Sequence, residues 1–231
     1  MKTLVIAGAG GFGKEAAWLV DDVNAASNSG PVWNIMGYVD DDDRKWGSDL
    51  YGYKILGKPE QIAEAHPGAE VWYHCTLGIG SQREAMAKRL DALGWHAATL
   101  IHPSVICARD AKIGAGVYIA AFSVISCNTT IGNHVVVNHR VAIGHDACVD
   151  DFATICAGAQ VNGACKIGRM AFIGSNASVV QCRAVGPNAV VAANSLAVQS
   201  VPPGVSVLGV PARKIGTFGG VSLGDERRKH E

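Results

Sequence analysis

The spacing of hydrophobic residues follows one rule up to about residue 100 and a different rule beyond it. Over residues 1–100, apolar runs of strand length alternate with amphipathic stretches of helix length. The runs TLVIAG, WNIMGYVD, EVWYHCTL and HAATLI predict strands, and KEAAWLVDDV, PEQIAEAH and SQREAMAKRLDAL predict helices. This alternation is typical of a small α/β unit built on a parallel sheet.

From Ile113 onwards the apolar residues recur with a period of six. Fourteen consecutive hexads without an insertion begin with Ile or Val: IGAGVY, IAAFSV, ISCNTT, IGNHVV, VNHRVA, IGHDAC, VDDFAT, ICAGAQ, VNGACK, IGRMAF, IGSNAS, VVQCRA, VGPNAV and VAANSL. The fifth position is small or β-branched in every hexad except the one with Arg183. A helix cannot keep this spacing on one face, so the period indicates a solenoid of short strands.

The change of period divides the chain into three predicted parts. Residues 1–100 form the α/β domain, residues 101–200 form the solenoid, and residues 201–231 form a closing segment followed by a tail. The closing segment reads VPPGVSVLGVPARKI, and the Gly-rich and then charged sequence after it predicts a disordered tail.

A glycine-rich loop joins the first predicted strand to the first predicted helix, with the pattern Gly8-x-Gly10-x-x-Gly13. Such a loop lets backbone N–H groups approach a phosphate at the helix N-terminus. Asp40 and Asp41 end the second predicted strand, where an acidic side chain can bind a ribose hydroxyl. Three interpretations remain open: a dinucleotide site, a mononucleotide diphosphate site that suits a half-sized domain better, and a turn that only connects strand to helix.

A small α/β domain followed by hexads resembles the hexapeptide-repeat nucleotide-sugar acetyltransferase family. That family includes UDP-4-amino-sugar N-acetyltransferases, perosamine-type N-acetyltransferases and sialic acid O-acetyltransferases, and the resemblance runs from Leu4 to about Ile215. It implies a left-handed parallel β-helix with three hexads per coil, acetyl-CoA as co-substrate without a metal, and a nucleotide-linked amino sugar as acceptor. It also implies a homotrimer with CoA in the groove between subunits.

Within this resemblance, the neighbouring hexads VNHRVA and IGHDAC hold the predicted chemistry. His139 and His145 both occupy the third hexad position, so the repeat alone does not choose between them. The family pattern matches Asn138, His145 and Asp146, which implies that His145 is the general base and that Asp146 orients it. Asn138 is then expected to lie near the acceptor or the acetyl group.

The resemblance also assigns residues to both substrates. Gly163 lies one predicted coil beyond His145, and its N–H is expected to meet the acetyl-CoA carbonyl. Other expected cofactor contacts are Thr154, Ser175 and Ala193. Expected contacts with the nucleotide sugar are Gly10, Gly11, Phe12, Asp40, Asp41 and Gly80.

Composition and charge limit the kinds of partner and the cellular compartment that the sequence predicts. The formal net charge is +0 and the isoelectric point is about 7.1, without the clustered basic surface expected of a nucleic-acid-binding protein. The N-terminal apolar run breaks at glycines and at Lys14, which argues against a signal peptide or a membrane span. Seven cysteines without a CxxC pair indicate free thiols and a cytoplasmic protein.

These features together predict an acetyl-CoA-dependent N-acetyltransferase acting on a nucleotide-linked amino sugar, in glycan or polysaccharide synthesis. Three alternatives remain: an O-acetyltransferase of the sialic acid type, a non-enzymatic scaffold or nucleotide sensor, and an NAD-dependent oxidoreductase.

Overall fold

The apolar runs of the first hundred residues build a six-stranded sheet flanked by helices. The structure is a computed structural model that describes residues 1–217, and the predicted disordered tail lies outside these residues. The elements of the α/β domain are β1 (Lys2–Ala7), α1 (Gly11–Ala26), β2 (Trp33–Val39), a short 3-10 helix (Asp43–Lys45), β3 (Asp49–Leu50), β4 (Tyr53–Gly57), α2 (Pro59–Ala65), β5 (Val71–Cys75), α3 (Gly80–Ala92) and β6 (His96–Ala97). The sheet order is β3-β4-β2-β1-β5-β6.

The structure adds one hairpin to the predicted strands of this domain and corrects one of them. The sheet is parallel except for β3, which pairs antiparallel with β4 in a hairpin that the apolar pattern did not predict. HAATLI is not one strand: His96–Ala97 completes the α/β sheet, whereas Leu100–Ile101 already pairs with the solenoid. The solenoid therefore begins inside the last predicted strand of the α/β domain.

The solenoid contains seventeen two-residue strands that stack into three parallel sheets. The strands are β7 (Leu100–Ile101), β8 (Ile106–Cys107), β9 (Lys112–Ile113), β10 (Tyr118–Ile119), β11 (Val124–Ile125), β12 (Thr130–Ile131), β13 (Val136–Val137), β14 (Ala142–Ile143), β15 (Cys148–Val149), β16 (Thr154–Ile155), β17 (Gln160–Val161), β18 (Lys166–Ile167), β19 (Phe172–Ile173), β20 (Ser178–Val179), β21 (Ala184–Val185), β22 (Val190–Val191) and β23 (Leu196–Ala197). The hairpin β24 (Val205–Gly209) and β25 (Ala212–Thr217) follows them. Sheet 1 starts at β7, sheet 2 at β8 and sheet 3 at β9, and each takes every third strand.

Each hexad contributes one strand and one corner. The Ile or Val that opens the hexad is buried in every case except Ile113, and together these residues form a continuous aliphatic core. The fourth hexad position has a positive φ in all fourteen hexads, from 53° to 73°. A left-handed residue at every corner turns the chain from one sheet to the next, and twelve of these corners use a side chain other than glycine.

The α/β domain packs on sheet 1 and on the corner between sheets 3 and 1. Tyr118 and Val136 of sheet 1 share one hydrophobic core with Leu4 and Ile6 of β1. At the corner, Phe152 joins the core on the opposite face of the α/β sheet. Sheets 2 and 3 are left outside this junction.

His74 is a buried histidine at the junction, and it makes stability depend on pH. Its Nδ1 hydrogen-bonds the Ala98 carbonyl at 2.9 Å, and within residues 1–217 its Nε2 has no partner. Burial lowers the pKa of His74 to about 4, so between pH 6.5 and 4 the unfolded state binds the proton more readily and the native state loses stability as pH falls.

We expect the free energy of unfolding to fall by about 2 kcal/mol between pH 7 and pH 5 because of this histidine. Denaturant titrations at both pH values measure the change. His74→Asn, which keeps a donor for the Ala98 carbonyl, should show a smaller loss. An equal loss in both proteins would assign the acid sensitivity to other groups.

Candidate functional site

His145 and Asp146 lie together on the corner between sheets 2 and 3. They are the third and fourth residues of their hexad, between β14 and β15, and Asp146 has the left-handed φ of 59°. This conformation brings the carboxylate back to the preceding ring, with 2.7 Å between Asp146 Oδ2 and His145 Nδ1. Since a carboxylate only accepts, Nδ1 is assigned the proton, and the neutral imidazole keeps a lone pair on Nε2.

Asn128 is a third member of this corner that sequence reasoning missed. Its Nδ2 donates to Asp146 Oδ1 at 2.7 Å from the preceding coil, eighteen residues earlier. The hydrogen bond from His145, and then that from Asn128, lower the pKa of the Asp146 carboxyl. Asp146 is therefore held as an anion with each oxygen directed at a different donor. The coil spacing contained the signal, because Asn128 and Asp146 occupy the same hexad position one coil apart.

Gly163 lies against the other edge of the His145 ring. A Cβ built on Gly163 would lie 2.6 Å from His145 Nε2 and 2.8 Å from Cε1. Within residues 1–217 its N–H makes no backbone hydrogen bond, whereas the next N–H, from Ala164, donates to the His145 carbonyl at 2.7 Å. The ring can therefore occupy this position only because residue 163 has no side chain, and it stays accessible to solvent because the His145 side chain is exposed.

Gly163→Ala should lower kcat of the acetyl transfer proposed below by roughly 10- to 100-fold, because the new methyl group displaces the ring. Melting temperature should change little, since the contact is with the end of an exposed side chain. Steady-state kinetics of Gly163→Ala, His145→Ala and the double variant form the test. If the glycine acts through the ring, the double variant is no slower than His145→Ala alone, and additive losses would contradict this.

The other residues predicted for acyl transfer lie on a different corner of the solenoid. Asn138 precedes the corner between sheets 1 and 2, and its Oδ1 accepts from the backbone N–H and Nδ1 of His139, at 2.7 and 2.6 Å. The His139 ring also stacks on Trp18 of α1. Ser175 and Ala193 are exposed on the same corner in later coils. In one protomer, sheet 2 separates these residues from His145.

The position of Thr154 contradicts its predicted contact with the cofactor. Thr154 is buried on sheet 1 beneath the α/β domain. Its hydroxyl accepts from Arg83 Nη2 at 3.1 Å and donates to the Gly78 carbonyl at 3.3 Å. Because the hydroxyl has its partners inside the protein and little exposed surface, it serves the domain junction and not a cofactor.

The glycine loop closes tightly between β1 and α1. Gly8 has φ of +113° and lies against Thr76, and a Cβ on Gly13 would collide with the Gly8 carbonyl. A Cβ on Gly10 or Gly11 would meet no atom within 4 Å, so the backbone of these two glycines is open to a ligand. The outer glycines are thus required by packing, and the inner two leave the helix N-terminus accessible.

The two acidic residues after β2 have different partners. Asp40 accepts from the Ala9 N–H at 2.8 Å and from Lys45 Nζ at 3.1 Å, which attaches the end of β2 to the glycine loop. Asp41 accepts both of its hydrogen bonds from Arg89 Nη1, at 2.9 and 2.8 Å. Arg89 also binds Glu60, and the hydrogen bond from Arg89 lowers the pKa of Glu60.

Phe12 and Gly80, two of the predicted substrate contacts, also pack against other parts of the protein. The Phe12 ring packs edge-on against Tyr118 of sheet 1, with 4.9 Å between ring centroids. Gly80 opens α3, where a Cβ would lie 2.7 Å from the Phe152 carbonyl. Both residues lie at the junction of the domains, and their contact with a nucleotide sugar remains a prediction.

Metal-ligating side chains do not cluster in the part of the chain that the structure describes. Residues 1–217 bring no three His, Cys, Asp or Glu side chains into a group that could hold a metal ion. None of the helices in the same range is long and apolar enough to cross a membrane.

Comparison with known proteins finds relatives that match nearly the whole chain. Residues 3–90 match the PglD N-terminal domain family. A GDP-perosamine N-acetyltransferase from Escherichia coli O157:H7 is 26% identical over 215 residues, which cover 91% of this chain and 95% of the relative. The acetyltransferase domain of PglB from Neisseria gonorrhoeae FA1090, solved with acetyl coenzyme A, is 28% identical with a TM-score of 0.83, covering 93% of this chain and 99% of that one.

A further solved structure extends the likeness in fold. PerB from Caulobacter crescentus, in complex with CoA and GDP-perosamine, has a TM-score of 0.84 at 22% identity and covers 94% of this chain and 98% of that chain. The fold is that of a left-handed β-helix with an N-terminal α/β domain, as in these two solved structures. The chain is similar over nearly its whole length to nucleotide-sugar acetyltransferases, which confirms the resemblance drawn from the hexads and the glycine loop.

Proposed function

We propose that this protein transfers the acetyl group of acetyl-CoA to the amino group of a nucleotide-linked amino sugar, by direct attack in a ternary complex. The observation that carries the proposal is the corner at His145. There Asp146 orients an exposed histidine whose Nε2 edge lies against the backbone of Gly163. An orienting carboxylate, a base and an open approach are what deprotonation of an attacking amine requires.

The proposed reaction needs one proton transfer and one exchange of bonds. As the sugar nitrogen attacks the thioester carbonyl, His145 Nε2 takes the proton that the nitrogen loses. The C–N bond forms, the C–S bond breaks, and the sulfur leaves as a thiolate that takes up a proton. Asp146 stabilises the imidazolium that forms, and the Gly163 N–H is positioned to donate to the developing oxyanion.

The α/β domain is the proposed site of the nucleotide. Its open glycine backbone at Gly10 and Gly11 lies at the N-terminus of α1, where a diphosphate is favoured. The relative from Escherichia coli O157:H7 is a GDP-perosamine N-acetyltransferase, which supports an amino sugar attached to a nucleoside diphosphate as acceptor. An N-acetylated nucleotide sugar is a building block for glycans or polysaccharides, and a cytoplasmic location suits both substrates.

The residues predicted for acyl transfer lie on two separate corners of one protomer. This separation supports a homotrimer as the active form. His145 lies on one corner of sheet 2, and Asn138, Ser175 and Ala193 lie on the opposite corner. A groove between two copies would place these corners side by side, so that acetyl-CoA touches both.

Mixing two inactive variants tests this arrangement. If random mixed trimers form from His145→Ala and Asn138→Ala chains, about a quarter of the grooves regain both side chains, and activity should reappear. Mixtures as inactive as their components would place the whole site in one protomer.

The proposed activity is tested by thiol release from acetyl-CoA across nucleotide-linked amino and hydroxy sugars. Release with an amino sugar, and mass addition of one acetyl group to it, is the expected result. Release only with hydroxy sugars would identify an O-acetyltransferase. No release with any acceptor would favour a scaffold or nucleotide sensor.

A further inference from the structure

Polar residues stack in one column on the corner that carries His145. Asp110, Asn128 and Asp146 lie eighteen residues apart, so they occupy the corner between sheets 2 and 3 in successive coils. Asp110 Oδ2 accepts from the Asn128 backbone N–H at 3.2 Å, and Asn128 Nδ2 donates to Asp146 Oδ1 at 2.7 Å. Asp146 Oδ2 in turn binds His145 Nδ1. The hydrogen bonds therefore form a chain that begins two coils away from the proposed base and ends on its ring.

The contact between His145 and Asp146 is too exposed to hold the ring by itself. Their side chains are 63% and 51% exposed, and an exposed pair of this kind typically contributes no more than about 1 kcal/mol. An aspartate with a single partner rotates readily toward water and releases Nδ1. The neutral imidazole can then carry its proton on Nε2, and in that tautomer Nε2 has no lone pair for a proton from an amine. A second donor that holds the carboxylate therefore keeps Nε2 available as the base.

Asn128 provides this second donor from a fixed position on the scaffold. The Asp146 N–H donates to the Cys127 carbonyl at 3.1 Å, so the two corners are also joined through their backbones. The carbonyl of His145 is tied to the following coil by the Ala164 N–H. Because the acceptor is a carboxylate, the hydrogen bond from the Asn128 amide is of the stronger, charge-assisted kind.

Another stacked pair of corner residues shows what the repeat gives without this role. Asn176 and Asn194 have the same hexad position on the corner between sheets 1 and 2, with 3.4 Å between Nδ2 and Oδ1. Asparagine tolerates the left-handed backbone of such corners, so its presence at position 128 does not by itself indicate a function. The short hydrogen bond to the carboxylate that orients the proposed base distinguishes Asn128.

We propose that Asn128 is a positioning residue for the acetyl transfer. Its amide fixes the Asp146 carboxylate, so that His145 keeps its proton on Nδ1 and presents Nε2 as the base. The inference deepens the proposed function and rests on it for the reaction that the base serves. Asp110 supports Asn128 from the coil before it by accepting its backbone N–H.

Asn128→Asp tests this role, because aspartate has the same shape and tolerates the same left-handed corner. The variant places a carboxylate beside Asp146 instead of a donor, and repulsion between the two displaces the Asp146 side chain. Near pH 8, kcat should fall at least about fivefold, and KM for either substrate should change less than about twofold. Asn128→Ala, which removes the donor without adding a charge, should also lower kcat.

The matched control is Asn188→Asp. Asn188 has the fourth hexad position and a left-handed φ of 55°, and it is exposed on the corner between sheets 3 and 1. The control makes the same chemical change at the same kind of corner, away from His145, and should leave kcat unchanged.

A measurement on the free protein separates the positioning role from the reaction. The ¹⁵N chemical shifts of the His145 ring report which nitrogen carries the proton, and His145→Ala identifies the signals of that ring. Near pH 8, the native protein and Asn188→Asp should carry the proton on Nδ1. In Asn128→Asp, the population should shift toward the tautomer protonated on Nε2.

Several results would overturn the proposal: an unchanged kcat or unchanged ring shifts in Asn128→Asp, an equal loss of kcat in Asn188→Asp, or a native ring protonated on Nε2. The ring shifts are recorded without substrates, so they do not depend on the acetyl transfer. Loss of the Nδ1-protonated form in Asn128→Asp, in a protein that releases no thiol, would sustain the positioning of the ring and remove the proposed activity. Thiol release with ring shifts unaffected by Asn128→Asp would do the reverse.

Discussion

His145→Ala is expected to lower kcat for acetyl transfer by roughly 10²- to 10⁴-fold, with little change in melting temperature or nucleotide affinity. The ring is 63% exposed and packs against no core residue, so its removal leaves the solenoid intact. What disappears is the nitrogen that, in the proposed mechanism, takes the proton from the attacking amine. Without the ring, Asp146 has no base to orient. The loss of kcat should therefore be similar in the His145→Ala/Asp146→Ala double variant.

The matched control for this experiment is His139→Ala. His139 has the same hexad position one hexad earlier, but its Nδ1 is bound to Asn138 and its ring stacks on Trp18. Single-turnover measurements with saturating acetyl-CoA separate chemistry from binding. If His139→Ala stops the chemical step and His145→Ala does not, the base has been assigned to the wrong corner.

Arg83→Met is expected to lower the free energy of unfolding by about 3 kcal/mol. The Arg83 guanidinium is 1% exposed, and burial lowers its pKa to about 10. It donates to main-chain carbonyls from both domains: Nη1 to Leu77 at 2.6 Å, Nε to His134 at 2.8 Å and Nη2 to Phe152 at 2.7 Å. Methionine fills much of the volume and leaves these buried carbonyls without donors.

Denaturant unfolding and amide hydrogen exchange measure this effect. Exchange should accelerate on both sides of the junction, in the loop before α3 and in the solenoid corners that Arg83 binds. Arg83→Lys should be intermediate, because one ammonium group cannot reach both sides as a guanidinium does. Arg44→Met is the control, since Arg44 is exposed and pairs with Asp42 on the same turn. If the junction is as stable in Arg83→Met as in the native protein, Arg83 does not hold the two domains together.

The solenoid was predictable because its period is a physical requirement of the fold. An Ile or Val every six residues, such as Ile143 and Val149, has to face inward in each strand, and both are buried. The pairing of His145 with Gly163 followed from the same period, once a coil was taken as three hexads. Asn128 could have been predicted in the same way, because it lies one coil before Asp146.

Contacts between the domains were not predictable in this way. Hexad spacing is the same on all three sheets, so it does not tell which sheet the α/β domain covers. The family resemblance placed Thr154 near the cofactor, and docking of α3 through Arg83 buries it instead. The hairpin β3–β4 was missed because its turn puts a tyrosine, Tyr51, in a left-handed conformation beside Gly52. Side chains as bulky as tyrosine seldom mark such turns.

Because His145 stacks under Gly163, the site depends on the number of residues between the two. The two residues meet because eighteen residues complete one circuit of the three sheets, as the hydrogen bond between Asn128 and Asp146 also shows. Insertion of a single hexad between them would carry Gly163 to a different corner and separate the pair. Addition or loss of a complete circuit beyond the site would leave it unaltered. In evolution, such a protein is free to grow or shrink by whole circuits while its chemistry stays in place.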